Sequence, residues 1–200
     1  MSSKPVRLQP GWPSWERAMD AAEATERRAR RAAALLECVA IPYALSGGIG
    51  STAWVASVEE EATRSSVDVS VVLRRTDLPR ARSAFEEGGF VVAEKDGKPV
   101  FLDGPAGSIR GSVKIVFAGE LLREGDLAPT PDVSESIRAK DFQVLTLEAL
   151  VRMMLVSNRN EDGMLLRDLM GVGLFDATWP ARFPPELAAR LQHVLDTPNG

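Results

Sequence analysis

The stretch Tyr43–Leu73, YALSGGIGSTAWVASVEEEATRSSVDVSVVL, decides the fold of this 200-residue chain. It starts within the short apolar run Ile41–Leu45, which predicts a strand that ends at Ser46-Gly47-Gly48. Ser46-Gly47-Gly48 then predicts a turn at which the backbone can come close to a ligand. Small and apolar residues at helical spacing follow from about residue 51 to residue 60. The stretch therefore opens with a strand, a glycine turn and a helix.

A second strand closes the stretch. Val67–Leu73 is a nearly continuous run of β-branched residues, which indicates a strand buried on both faces. Asp68 stands near its start, and Ser70 lies on the same face because side chains alternate along a strand. The order of elements is therefore strand, glycine turn, helix, and a strand that carries one acid.

This order resembles the front half of a nucleotidyltransferase-fold domain. That family places a Gly-Gly or Gly-Ser turn before a helix and two acids, as Asp-x-Asp or Asp-x-Glu, on the next strand to hold divalent metal. Here the strand carries Asp68-Val69-Ser70, and a hydroxyl lacks the charge that binds magnesium. The resemblance implies an α+β fold, in which a mixed β-sheet is flanked by helices and followed by a C-terminal helical segment. It also implies that catalysis is weakened or lost.

The family's third carboxylate comes from a later strand, and the matching position on Ser112–Ala118 is Lys114. One hypothesis is that the Lys114 ammonium forms an ion pair with Asp68 and excludes magnesium by repulsion. The other is that Lys114 lies on the opposite face or at a sheet edge, where lysine is common. Both remain open, and Asp103 or Glu120 could instead supply the missing acid.

The resemblance also implies a set of ligand-binding residues around the glycine turn. Gly47, Gly48 and the following helix N-terminus are suited to hold phosphate groups. Arg64 stands where members often keep an arginine, although an ion pair with residues 59–61 explains it more simply. Asp68 alone would hold one metal ion weakly. The hydroxyl groups that could donate hydrogen bonds to a ligand are those of Ser46, Ser51 and Thr52.

The chain is predicted to have three parts. Residues 1–13 are rich in proline and predict a flexible N-terminal arm. Residues 14–143 predict the α/β core, which begins with a long helix at 15–39 rich in Ala, Glu and Arg. Within that core, the polar residues 119–143 predict a connecting segment. Residues 144–200 predict the C-terminal helical segment.

The C-terminal segment resembles that of bacterial stand-alone nucleotidyltransferase-like proteins, which are related to small-molecule nucleotidyltransferases and to nucleotidyltransferase-type toxins and antitoxins. Thr146 is predicted to cap a leucine-rich helix whose methionines fill the core. Asp162 is predicted to cap a second helix, Met164–Met170. The family pattern that follows the first helix is an arginine, an acid and an Asp-Leu pair, here Arg159, Asp162 and Arg167-Asp168-Leu169.

Composition narrows the classes of function. The net charge is −4 and the pI about 5.2, so no nucleic-acid partner is expected. No apolar run approaches the roughly 18–20 residues that span a bilayer, and the N-terminus has no signal-peptide pattern. The one cysteine, Cys38, excludes an intrachain disulfide. We therefore expect a cytoplasmic protein without a membrane partner. His193, the one histidine, is expected at the surface or in an interface rather than as a catalytic base.

Three functions are compatible with these patterns. An active enzyme would use Mg²⁺ to transfer a nucleoside monophosphate from a nucleoside triphosphate to a hydroxyl acceptor. A degenerate relative would bind a nucleotide or another small molecule without turnover. A protein-interaction module, which could be toxin–antitoxin-like or a homo-oligomer, would use its apolar C-terminal helices for docking. Ser70 and Lys114 speak against the first, so we favour a nucleotidyltransferase-fold protein with impaired catalysis.

Overall fold

The computed structural model describes residues 15–59 and 68–198, with side chains described from residue 19 onward. The predicted arm at 1–13 lies outside this range. The described helices are α1 (Trp15–Cys38), α2 (Gly47–Ala56), α3 (Leu78–Glu87), α4 (Leu147–Ser157), α5 (Asn160–Gly171) and α6 (Pro185–Asp196). The described strands are β1 (Ala44–Ser46), β2 (Val69–Leu73), β3 (Val91–Lys95), β4 (Lys98–Leu102), β5 (Val113–Phe117), β6 (Ser136–Arg138) and β7 (Gln143–Leu145).

The strands form a mixed sheet in the order β3-β4-β5-β2-β1-β7-β6. At its centre, β2 pairs in parallel with β5 and antiparallel with β1, and β1 pairs in parallel with β7. The strands β3 and β4 form a hairpin around Asp96-Gly97, a favoured turn sequence in which both residues have positive φ. The predicted α+β architecture, a mixed sheet flanked by helices, is confirmed.

The two faces of the sheet are covered by different helices. On one face, Leu36 of α1 and Phe85 of α3 are buried in the same cluster as Val71 of β2. On the other face, Val72 of β2 is buried in a cluster with Leu150 of α4 and with residues of α5 and α6. Because neighbouring residues of β2 point to opposite faces, one strand contributes to both cores. The candidate site lies on the face covered by α4–α6.

The glycine turn differs in detail from the sequence-based prediction. The helix α2 begins at Gly47 instead of Ser51 and ends at Ala56, before residue 60. Gly47 has φ +60, so the chain passes from β1 into the helix without an intervening loop. The strand β1 is Ala44–Ser46 rather than Ile41–Leu45. Pro42 explains part of this shift because it has no backbone N–H to pair with a neighbouring strand.

The predicted connecting segment 119–143 is only partly a connection. It contains β6 and the first residue of β7, and β7 pairs with β1 through Leu45 and Val144. Both strands have three residues, which is too short for an alternating pattern to be recognised. The sheet therefore includes two strands, β6 and β7, that the sequence did not predict.

The C-terminal helices confirm one predicted cap and correct the other. Thr146 accepts a hydrogen bond from the backbone N–H of Ala149 at 3.4 Å, so the α4 cap is as predicted. The helix α5 begins at Asn160, which places Asp162 inside its first turn rather than before it. Met154 of α4 is buried, as predicted for core methionines. No helix among the described residues is long and apolar enough to cross a membrane.

Candidate functional site

Three polar side chains lie next to one another on three neighbouring strands. Ser46 of β1 is in register with Ser70 of β2, and Ser70 is in register with Lys114 of β5. Alternation along the strands places these side chains on the same face as Val72, the face covered by α4–α6. Lys114 therefore stands directly beside the position where the family's second acid would be.

Asp68, just before β2, forms an ion pair with Lys114, whose Nζ donates a hydrogen bond to Asp68 Oδ2. Each side chain is 31% exposed, so the pair is accessible to solvent and to a ligand. Of the two hypotheses for Lys114, the ion pair is confirmed. The position on the opposite face is wrong.

Gly47 brings the start of α2 against this row of side chains. A Cβ at Gly47 would lie 3.5 Å from Ser70 Oγ, and φ +60 falls in the left-handed region that favours glycine. Ser46, the residue before the helix, is fully buried, and its Oγ donates to Ser70 O at 3.5 Å instead of capping the helix. The first N–H groups of a helix have no partner within the helix, and they favour an anion.

The opposite wall is formed by the junction between α4 and α5. Asp162 is 2% exposed, and its Oδ2 accepts hydrogen bonds from Ser157 Oγ, from the backbone N–H of Arg159 at 3.1 Å and from Arg159 Nε at 3.0 Å. Its Oδ1 accepts from Arg159 Nη2 at 3.2 Å. Asn158, with φ 48, turns the chain between the two helices. These donors provide the compensation that a buried carboxylate needs.

Arg159, on the helical wall, interacts electrostatically with acids on both walls. The hydrogen bonds that Arg159 donates to Asp162 raise the pKa of the Arg159 guanidinium above its ordinary value, and burial acts in the opposite direction. Coulomb attraction to Asp162, Glu161 and Asp68 adds to the increase in this pKa. The field of Asp68 on the sheet wall therefore reaches Arg159 on the helical wall.

A second arginine comes from the segment between β5 and β6. Arg123 Nη2 donates a hydrogen bond to the backbone oxygen of Ser157 at 2.6 Å, and lies 3.4 Å from Asp126 Oδ1. The hydrogen bond ties this segment to the end of α4. Arg123 thus contributes a third cation to the region, beside Lys114 and Arg159.

The two walls line a cavity of about 250 Å³ that is open to solvent. Its sheet wall includes Ser46, Gly47, Ser70 and Lys114, and its helical wall includes Ser157, Arg159 and Asp162, with Arg123 on the connecting segment. Leu122, Leu150 and Met153 supply apolar surface. The cavity therefore combines cations and hydroxyls with an apolar side, as ligand pockets commonly do.

The acids that could replace the missing carboxylates have other partners. Asp103 pairs with Arg31 and, at 3.3 Å, with Arg28, both on α1, which covers the other face of the sheet. Glu120 accepts hydrogen bonds of 2.7 and 2.6 Å from Arg75, beyond the far ends of β2 and β5. Within the described residues, no group of three or more His, Cys, Asp or Glu side chains could hold a metal ion. One carboxylate, one hydroxyl and one ammonium do not fit Mg²⁺.

The predicted ligand-binding residues are only partly brought together. Ser46 and Gly47 line the cavity, whereas Gly48, Ser51 and Thr52 lie in α2 outside its lining. Ser51 is buried one turn inside the helix because α2 starts earlier than predicted. Arg64 is outside the described residues, so its predicted role stays a prediction. His193 is exposed near the end of α6, as expected.

Sequence reasoning did not assign Arg123, Ser157 or Met153 to the site. Arg123 lies in a segment without periodicity, and Ser157 is the last residue of α4, so neither carries a local signal. Arg159 and Asp162 did carry a signal, the arginine–acid pattern after the leucine-rich helix. Their place in the cavity depends on the packing of α4 and α5 against the sheet.

Comparison with known proteins finds similarity in structure and not in sequence. No family model and no curated protein matches the chain. An antigenic nucleotidyltransferase-like protein from Paracoccidioides brasiliensis is similar over 88% of this chain and 89% of its own, with a TM-score of 0.59 and 14% identity. The antibiotic-resistance factor ANT(2'')-Ia covers 90% of this chain and 85% of its own, with a TM-score of 0.48 and 12% identity. At these identities the likeness concerns the fold alone.

Proposed function

Because this chain has the nucleotidyltransferase fold, we propose that it is a catalytically impaired form that binds a nucleotide without magnesium and transfers nothing. The ion pair between Lys114 and Asp68 carries this proposal. In an active member, carboxylates at these neighbouring positions share divalent metal with the triphosphate. Here the ammonium of Lys114 takes the place beside Asp68 and repels a divalent cation.

The same residues favour an anionic ligand. Lys114 stands beside Ser70, and the start of α2 at Gly47 lies against that serine. Free amides at a helix N-terminus and a lysine ammonium both bind phosphate oxygens. These groups supply affinity but no Lewis acid and no pair of carboxylates for transfer chemistry. Binding without turnover is what this set of donors supports.

The interaction-module hypothesis receives less support. It required some of the apolar C-terminal helices to be exposed. Leu150, Val151, Met154 and Leu155 of α4 are instead buried in the core on this face of the sheet. Within this chain, that stripe contacts the protein's own sheet and helices, so it is not available as a docking surface.

Calorimetric titration with ATP and GTP, each with magnesium and with EDTA, tests the proposed function. We expect binding that is unchanged by magnesium and no transfer of label from α-labelled nucleotide to any acceptor. Magnesium-dependent binding would contradict the proposal, and transfer that is lost in Asp68→Ala would show an active enzyme. If no nucleotide binds, the proposal that the protein is a nucleotide-binding protein is contradicted.

A matched pair of lysine variants shows whether binding uses the cavity. Lys114→Met keeps the aliphatic stem and removes the charge, and we expect it to weaken nucleotide binding. Lys95→Met makes the same change on β3, at an exposed edge of the sheet, and serves as the control. Equal loss of affinity in both variants would point to binding outside the cavity.

A further inference from the structure

The size of the cavity restricts what it can hold. Its volume of about 250 Å³ is below the roughly 300–1,000 Å³ typical of pockets for drug-sized ligands. Because the cavity is open to solvent, a nucleoside triphosphate would extend well beyond it. A small ring system with one phosphoryl group is a closer match.

The charges around the cavity also favour a ligand with one phosphoryl group over a triphosphate. Each of its three cations already has an acidic partner: Lys114 with Asp68, Arg159 with Asp162, and Arg123 with Asp126. These described pairs sum to no net charge, and the start of α2 adds a partial charge of only about +0.5. A triphosphate brings several negative charges and, without metal, would leave most of them uncompensated. One phosphoryl group needs much less compensation.

We therefore propose that the ligand is a phosphomonoester of nucleoside-monophosphate size, preferred over the triphosphate; this proposal rests on the proposed function. Its phosphoryl oxygens lie against Lys114, Ser70 and the amide groups at Gly47, which together form the polar end of the sheet wall. Its ring lies toward the apolar surface of Leu122, Leu150 and Met153. The phosphoryl group then competes with Asp68 for the ammonium of Lys114.

Because Asp68 and the phosphoryl group compete for Lys114, removing the charge of Asp68 is predicted to strengthen ligand binding. Asp68→Asn removes a negative charge close to the bound phosphoryl group and frees Lys114, so we expect AMP to bind about fivefold more tightly. In a metal-dependent nucleotidyltransferase the same substitution removes a metal ligand and weakens binding. Asp126→Asn neutralises an acid that pairs with Arg123, away from the polar end of the sheet wall, and is the control, with a smaller change expected.

The experiment is a set of calorimetric titrations of the full chain with adenosine, AMP, ATP and inorganic phosphate, each in EDTA and in magnesium. We expect AMP to bind at least as tightly as ATP in EDTA, and at least tenfold more tightly than adenosine or phosphate alone. Asp68→Asn should strengthen binding of AMP and leave that of adenosine unchanged. The corresponding guanine ligands are titrated in parallel, so that base preference does not affect the comparison.

The outcomes separate the two proposals. Tighter binding of ATP than of AMP, unaffected by magnesium, would overturn the monophosphate preference and leave the proposed function intact. Magnesium-dependent binding of ATP would overturn both, whereas weaker AMP binding in Asp68→Asn would overturn the competition for Lys114 and leave the proposed function intact. Adenosine binding as tight as that of AMP would show that the phosphoryl group is not recognised, and no binding of any of these ligands would also reject both proposals.

Discussion

Two ion pairs face the cavity from opposite walls, and they are held in different ways. In the pair on the sheet wall, Lys114 and Asp68 are each 31% exposed. In the pair on the helical wall, the Asp162 side chain is 3% exposed and both of its oxygens accept hydrogen bonds. Ser157 and the backbone of Arg159 also donate to that carboxylate.

This difference separates a structural role from a functional one. A buried carboxylate with several donors is costly to leave without them, so Asp162 fixes the geometry of the α4–α5 junction. A pair that is about one-third exposed gains less from its contact and can exchange a partner for a ligand or for solvent. The helical wall therefore shapes the cavity, and on the sheet wall a ligand can replace Asp68 as the partner of Lys114.

The largest effect is expected at the buried carboxylate. Asp162→Ala leaves Ser157 and Arg159 without their acceptor, and we expect a loss of about 3 kcal/mol in the free energy of unfolding. Urea unfolding measures it. Glu161→Ala, at the exposed neighbouring position, is the control and should stay close to wild type. Equal losses in the two variants would mean that Asp162 does not hold the junction.

The sheet-wall pair should be weaker. A double-mutant cycle with Asp68→Ala, Lys114→Ala and the double variant isolates the contact between the two side chains from their other interactions. We expect a coupling energy of about 1.5 kcal/mol, below the loss in Asp162→Ala, because both groups are partly hydrated. The measurement is again urea unfolding, at low and at high salt. A coupling energy as large as the loss in Asp162→Ala would remove the distinction between the two walls.

Restoring acids to the sheet wall should create a metal site. The double variant Ser70→Asp/Lys114→Asp places carboxylates on neighbouring strands beside Asp68, as the family pattern requires. We expect the variant to be stabilised by magnesium or manganese by about 1.4 kcal/mol at ten times the Kd, whereas wild type does not respond. Thermal unfolding with and without metal measures this effect. Adding Asp68→Asn is the control, and a response that survives it would place the metal elsewhere.

The sequence predicted the sheet wall better than the helical wall, for a physical reason. Ser70 and Lys114 lie on strands, and Asp68 just before one, whose apolar runs are visible in the sequence, and alternation determines which face they share. Arg123 lies in a segment without periodicity, and its contact with Ser157 exists only after the chain has folded. The early start of α2 was missed because the positive φ of Gly47 places both glycines inside the helix. Local patterns therefore predicted the strands and their acids, and long-range packing completed the cavity.

The smallest effect is expected at the glycine that joins the sheet wall to α2, and it tests whether a ligand lies there. Gly47→Ala should cost about 1 kcal/mol of stability, since alanine is strained at positive φ. Gly119→Ala is the matched control, because Gly119 has φ +72 and no heavy atom within 4 Å of an added Cβ. Urea unfolding should give similar losses for both variants, but only Gly47→Ala should weaken AMP binding, as its methyl group would fill space beside Ser70 Oγ. Undiminished binding in Gly47→Ala would place the phosphoryl group away from the helix start and leave Lys114 as its main contact.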